Sequence, residues 1–327
     1  MENGLRPLHC VRLRVDIQAR KPIELPAYKG STLRGALGTA LKHSCCAARR
    51  RSCDTCLLRF SCLYVYLFET PLLRESPEDL RYRNAPHPFV LQLRMDGPMR
   101  LETGALWSFD MTVIGRAIQW TPYLVLAAQR MGDLGIGKGR GTFDVKRVLS
   151  LDAQGNPWEE LYSDGTLRLP EKKLSLTLNH DQASVLAQGR ARFRFLTPVR
   201  LVSQGEPVRR PDFYVLMATL LRRLANLYKF HAESETHKDL DLPVPALLEQ
   251  ARSVRVAENR TRWFDWERYS HRQGRRMRLG GLVGDVIFEG DLKTFGPYLS
   301  AGRWIHVGKG TSFGLGRYDF EDDTEGE

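Results

Sequence analysis

The tripeptide Gly-Lys-Gly occurs twice in this chain, as Gly137-Lys138-Gly139 and as Gly308-Lys309-Gly310. Each copy sits in a glycine-rich turn that follows a helical segment and leads into a strand. Glycine adopts backbone conformations that a Cβ forbids, so such a turn fixes where the chain reverses. Two of them in matching places imply a duplicated folding unit. The second turn is the richer, with four glycines in the nine positions 308–316. It lacks the Gly-x-x-x-x-Gly-Lys-Ser/Thr spacing of a Walker loop. It also lies near the end of the sequence rather than after a first strand, where a dinucleotide fingerprint would sit. What remains is a turn whose main-chain N–H groups can approach an anion.

The hydrophobic pattern between the turns supports the duplication. Residues 8–19 alternate, with Val11, Leu13, Val15 and Ile17 on one face and Arg12, Arg14 and Asp16 on the other. Ser31 or Thr32 can cap a helix whose apolar stripe is Leu33, Ala36, Leu37, Ala40 and Leu41. Gly35 and Gly38 weaken that helix by roughly 1 kcal/mol each relative to alanine, which implies a close neighbour. Strands at 89–94 and 106–116, a helix at 122–131 and a strand at 143–151 complete the order strand, helix, strand, strand, helix, strand. That is the ferredoxin-like βαββαβ unit, spanning residues 1–151.

After a polar bridge at 152–188 the order restarts. A strand at 191–201 precedes a helix at 212–230, with Phe213, Met217, Leu220, Leu224 and Leu227 on one face and Arg222, Arg223 and Lys229 turned outward. Strands at 253–266 and 282–289, a short helix at 295–305 and a strand from 318 fill the second unit, residues 189–320. The expected fold is α+β: two tandem ferredoxin-like (RRM-like) domains, a cysteine-rich insertion at 44–70 in the first, and an acidic tail at 321–327 that stays solvated.

Charge points to a polyanionic partner. The net charge is +11, and residues 1–150 carry 23 Lys/Arg against 13 Asp/Glu. Arg268, Arg272, Arg275, Arg276 and Arg278, with Tyr269, His271 and Gly274, read as a basic hairpin suited to an RNA backbone. Trp263, Phe264 and Trp266 just before it can stack bases. Neither a secretory signal nor a bilayer-spanning apolar run is present, so a cytoplasmic protein without a membrane partner is expected. Five of the six cysteines fall within 45–62. Cys46, Cys53, Cys56 and Cys62 give Cys-x6-Cys-x2-Cys-x5-Cys, a ligand set for structural zinc, with Cys45 able to replace Cys46. An iron–sulfur cluster uses the same ligand type, and spacing alone does not choose the metal.

These residues resemble a known family. The run Tyr28-Lys29-Gly30-Ser31-Thr32-Leu33-Arg34-Gly35, the C-terminal Gly-Lys-Gly-x-x-x-Gly-x-Gly loop, and the cysteine insertion leading into Tyr64-Val65-Tyr66-Leu67-Phe68-Glu69 are similar to CRISPR precursor-RNA-processing endoribonucleases of the RAMP superfamily. The resemblance implies two ferredoxin-like domains and metal-independent cutting of CRISPR repeat RNA. The 2′-hydroxyl beside the scissile bond attacks the phosphate, leaving a 2′,3′-cyclic phosphate and a 5′-hydroxyl, and the enzyme can retain its product. A catalytic histidine at the end of the first helix maps to His43, and a tyrosine fifteen positions earlier to Tyr28. An imidazole, with an ordinary pKa of about 6.5, suits proton transfer near neutrality. Lys42 or Arg49 would act on the phosphorane. Lys138, Arg140, Lys309 and Arg317 of the two turns, with main-chain N–H groups beside them, would hold the RNA together with the basic hairpin. The expected partners are crRNA and other CRISPR-associated effector subunits. A non-catalytic RAMP subunit that only holds crRNA is the alternative.

Overall fold

The computed structural model of the chain describes residues 8–48, 52–71, 85–176, 186, 189–233, 242–265, 267–270, 275–278 and 280–323. The alternating first segment forms the strand His9–Ala19 at the centre of the first sheet. It pairs antiparallel with Leu106–Ile114 on one side and Phe143–Leu151 on the other. Phe89–Gln92 lies beyond Leu106–Ile114, so the four strands stand in the order second, third, first, fourth. That is the ferredoxin-like order. Helices α1 (Gly30–Cys45) and α2 (Thr121–Leu134) cover one face, burying Leu33, Leu37 and Leu41 and Leu124, Ala128 and Met131 over Leu13, Val15 and Ile17. Each fully buried leucine contributes about 1.5–3 kcal/mol by leaving water.

Helix α1 begins at Gly30, without a Ser31 or Thr32 cap. Lys29 precedes it and is buried, its Nζ donating to the carbonyls of Ala27 (3.2 Å) and Gly97 (2.9 Å). The close neighbour expected at the helix glycines exists at Gly38, where a Cβ would lie 2.9 Å from the Phe68 ring; Gly35 faces open space.

The second half repeats the arrangement. Arg190–Val199 is central, between Gly281–Glu289 and Tyr318–Asp322, with Arg255–Asn259 and Arg262–Phe264 paired to the outer side of Gly281–Glu289. Helix α3 (Phe213–His231) is capped by the Asp212 carboxylate, which accepts from the Val215 N–H at 2.9 Å. It buries the predicted stripe. A further helix, α4 (Val244–Ser253), stands where no element was expected, and α5 (Gly296–Ile305) completes the unit. Glu267–Ser270 and Arg275–Arg278 form a separate two-stranded hairpin, with Arg268 opposite Met277 and Tyr269 opposite Arg276.

Two stretches differ from expectation. The bridge at 152–188 contains strands: Pro157–Ser163 extends the first sheet beyond Phe143–Leu151, and Leu174–Ser175 pairs with the start of the first strand. The acidic end is folded as far as Asp323. That carboxylate is buried and binds Arg190 (3.1 Å) and Arg192 (2.9 Å), so the tail's first acids complete a sheet edge.

The two halves form one body. Leu8, Cys10, Val90 and Ile114 of the first half belong to the core of the second. His231 at the end of α3 is buried between them, accepting from the Tyr66 hydroxyl at Nδ1 (3.2 Å) and donating from Nε2 to the Pro86 carbonyl (2.7 Å). Among the described residues, no helix is long and apolar enough to cross a membrane.

Candidate active site

With 3.6 residues per turn, positions four apart on a helix lie in rows. On α1 one row is Arg34, Gly38 and Lys42, and the next is Gly35, Thr39 and His43. Gly38 keeps the first row low at its middle, and Gly35 opens the second. Tyr64 and Phe68 stand beside them with rings stacked at 5.5 Å. Phe68 belongs to a π-helical turn, Val65–Glu69, which follows the cysteine insertion. Together these residues enclose a cleft of about 190 Å³ lined by Arg34, Lys42, His43, Tyr64 and Phe68.

Each group in the cleft is held differently. His43 is exposed in the last turn of α1. The Lys42 ammonium lies over the Tyr64 ring, 5.4 Å from its centroid. Arg34 is fixed on several sides. Its guanidinium sits 4.5 Å from the Phe313 ring centroid and 5.3 Å from that of Phe68. Nε donates to Ser312 Oγ (3.1 Å), and Nη2 donates to the Phe68 carbonyl (3.4 Å) and to His87 Nε2 (3.2 Å). Because His87 accepts at Nε2, its proton is on Nδ1, which donates to Thr70 Oγ1 at 2.8 Å. Burial, then the nearby Arg34, push the His87 imidazole down to about 3. His87 is thus a neutral clamp that orients Arg34.

Tyr28 does not face this cleft. It is buried, and its hydroxyl donates to the Phe313 carbonyl at 2.8 Å. Burial raises its pKa far above the ordinary phenol range. The residue expected to transfer a proton beside His43 is therefore a tie between the first helix and the second glycine turn.

The turns themselves share two backbone bonds. Lys138 N donates to the Glu24 carbonyl, and Lys309 N to the Arg200 carbonyl, both at 2.9 Å. Ile136 N donates to Gly141 O (2.9 Å) and Val307 N to Gly316 O (3.0 Å). A Cβ on Gly137 would lie 2.0 Å from the Glu24 carbonyl oxygen, and one on Gly308 2.4 Å from that of Arg200, which is why glycine stands at both. Lys138, Arg140 and Lys309 are exposed. Arg317 is less open than these three. It is half-buried and spans the halves, donating from Nη1 to the Leu93 carbonyl (3.0 Å) and from N to Thr197 Oγ1 (2.9 Å). The N–H groups of Lys309, Phe313, Gly314, Leu315 and Gly316 are likewise donated within the protein. Much of the second turn's backbone is thus used for folding.

Other expected site residues are dispersed. Trp263 is half-buried beneath Arg209, 4.6 Å from the ring centroid, with Nε1 donating to Asp265 (2.8 Å). Arg268, Arg275, Arg276 and Arg278 lie on the two hairpin strands. Arg49, His271, Arg272 and Trp266 lie outside the described residues. In the cysteine insertion, Cys45 is within electrostatic reach of Cys62 and Cys46, while Cys53 and Cys56 close a separate turn (Cys56 N to Cys53 O, 3.4 Å). Among the described residues no three Cys, His, Asp or Glu converge as a metal site. Sequence reading missed Arg34 as a site residue and His87 altogether. Arg34 stood inside the quoted run from Tyr28 to Gly35, and His87 stood between two prolines that stiffen its backbone.

Comparison with known proteins bears on this geometry. Residues 193–318 match the family described as CRISPR-associated endoribonuclease Cas6, and residues 8–174 match a family described as an N-terminal domain. Among solved structures, Cas6 from Thermus thermophilus is 16% identical with a TM-score of 0.55, covering 96% of this chain and 99% of that one. A Cas6 product complex is 17% identical with a TM-score of 0.54, covering 95% and 98%. A partial Cas6-RT-Cas1–Cas2 complex is 14% identical with a TM-score of 0.56, covering 98% of this chain and 47% of that one. No curated protein sequence matches. The shared architecture is that of two tandem ferredoxin-like domains. The second half of the chain thus carries a domain that matches the CRISPR-associated endoribonuclease Cas6 family.

Proposed function

We propose that the chain cuts CRISPR repeat RNA at one position in the α1 cleft, by in-line attack of the 2′-hydroxyl on the adjacent phosphate, without a catalytic metal. The observation that carries this reading is that His43, Lys42 and Arg34 line one cleft in a chain whose second half matches an endoribonuclease family. His43 takes the proton from the 2′-hydroxyl as the P–O2′ bond forms and the P–O5′ bond breaks. The departing 5′-oxygen takes a proton from solvent, to which this end of the helix is open. Lys42 and Arg34 place two cations where negative charge grows on the phosphorane oxygens. Fixed charge of this kind is effective because it need not reorganise as the reaction proceeds. The products are a 2′,3′-cyclic phosphate and a 5′-hydroxyl, and the basic hairpin and exposed turn cations hold the cut RNA.

The test is end-labelled repeat RNA incubated with the protein in EDTA, beside the same RNA carrying 2′-deoxyribose at the scissile nucleotide. Cutting of the first at one site with a cyclic phosphate end, and none of the second, is the expected outcome. Binding without cutting of either would favour a non-catalytic crRNA-holding subunit. Cutting of the deoxy substrate would contradict the 2′-hydroxyl mechanism.

A further inference from the structure

The second glycine turn also forms one wall of a cleft of about 330 Å³, facing α3. Arg200, Arg222, Arg223, Lys309 and Ser312 line it. Ser312 connects it to the first cleft, since its hydroxyl accepts from Arg34.

Arg223 sets this cleft apart from a basic surface groove. The sequence places it on the solvent side of α3, yet the side chain is half-buried. Nε donates to the Ile305 carbonyl at the end of α5 (2.9 Å), while Nη2 is buried with no partner among the described residues. No carboxylate of the described residues pairs with it. Burial, with nothing offsetting it, pushes the guanidinium down to about 10. His87, His231 and His306 around it are all buried and depressed below the ordinary imidazole range, so they are neutral and offer it no counter-charge. An unpaired buried cation is costly to maintain, and the cost is offset when an anion enters. Arginine suits a phosphate in particular, because its planar fork matches two phosphate oxygens. Arg222, exposed on the same helix, and Lys309 on the turn supply the rim.

We propose that this cleft is a second phosphate site, in which Arg223 grips a backbone phosphate of the bound RNA next to the stretch cut at His43. The assignment rests on the reading of the chain as a repeat-RNA endoribonuclease. It makes Arg223 a positioning residue: by holding a flanking phosphate it sets which nucleotide reaches the α1 cleft.

The experiment measures binding of repeat RNA carrying 2′-deoxyribose at the scissile nucleotide, across a salt series, for wild type, Arg223→Gln, Arg223→Lys and Arg222→Gln. Loss of one phosphate contact on a single strand lowers the slope of log affinity against log salt by about 0.7. Arg223→Gln is expected to lose that slope and about tenfold in affinity, Arg223→Lys to keep the slope, and Arg222→Gln to lose part of it. Wild-type slope and affinity in a folded Arg223→Gln would overturn the proposal. If Arg223→Gln fails to fold, Arg222→Gln decides by the same criterion. A parallel titration with inorganic phosphate should raise the melting temperature of wild type but not of Arg223→Gln, and equal shifts in both would overturn the site. Loss of the phosphate effect with RNA binding untouched would mark a site for free phosphate and overturn the RNA assignment. Failure of wild type to bind repeat RNA would instead sink the endoribonuclease reading, while the phosphate arm would still report on the cleft.

Discussion

The turns at 135–141 and 307–316 begin with the same hydrogen bonds and end in different places. Both anchor the lysine N–H of Gly-Lys-Gly to the segment after the first strand of their own half. Between the closing bonds, the first turn has four residues and the second has eight. The extra length folds as the short 3-10 turn Thr311–Phe313, which crosses to the other half. There Phe313 accepts from Tyr28 and stacks on Arg34, and Ser312 accepts from Arg34. The second turn is thus the first with one turn more, and that added turn is a clasp that fixes a cation in the candidate active site. The first turn shows what the motif does alone: it closes a domain.

Replacing 307–316 with the sequence of 136–141 breaks this comparison most directly. The second domain keeps its local closure, but the ties to Tyr28 and Arg34 go. RNA cleavage is expected to fall by at least 10³-fold while circular dichroism retains the native helix content; retained cleavage would refute the clasp. Gly30→Val probes the same contact, since a Cβ there would lie 1.9 Å from the Phe313 carbonyl oxygen. A forced shift of this kind costs about 1–3 kcal/mol, read as a lower urea midpoint. Gly139→Val in the other turn meets no atom within 4 Å. It should cost only the left-handed backbone penalty of about 1–2 kcal/mol and leave cleavage intact.

Arg34→Ala removes a charge without touching His43. A drop of about 10²-fold in single-turnover rate is expected, with RNA affinity changed less than the rate. An equal fall in affinity and rate would make Arg34 a binding residue only.

The interface carrying the clasp also holds His87 and His231, pushed by burial to about 3 and about 4 from the ordinary 6.5. Their folded-state values are depressed, so they are neutral in the fold and take up protons on unfolding. Their stabilising contribution is complete above about pH 6.5 and is lost as pH falls towards 4. Melting temperature should decline across that window, and His231→Gln should flatten the decline. A pH-independent melt from 7 to 4.5 would contradict their burial.

The smallest effect is expected from Tyr28→Phe. Losing one hydroxyl bond to Phe313 costs about 0.5–1.5 kcal/mol and should alter the cleavage rate only a few-fold. A 10²-fold loss at unchanged stability would return Tyr28 to the chemistry.

The fold was legible because its strands alternate and its helices carry stripes, which is the information packing uses. What escaped had weak periodicity or depended on distant partners. Pro157–Ser163 buries only Leu161, so its alternation is faint. The tail acids read as solvated because nothing local reveals that Asp323 meets Arg190 and Arg192 across a sheet edge. Arg223 was legible in part: it lies three residues after Leu220 and four before Leu227, on the flank of the buried stripe, and its charge argued the wrong way. The resemblance gave Tyr28 to the chemistry and Arg317 to RNA, whereas the Tyr28 hydroxyl bonds Phe313 and Arg317 Nη1 bonds Leu93.

The central claim is that the α1 cleft performs the chemistry through His43. Single-turnover cleavage of repeat RNA by His43→Ala measures it, with binding to the 2′-deoxy substrate as the control. The account predicts a rate loss of about 10²–10⁴-fold with affinity preserved; cleavage at the wild-type rate would contradict it.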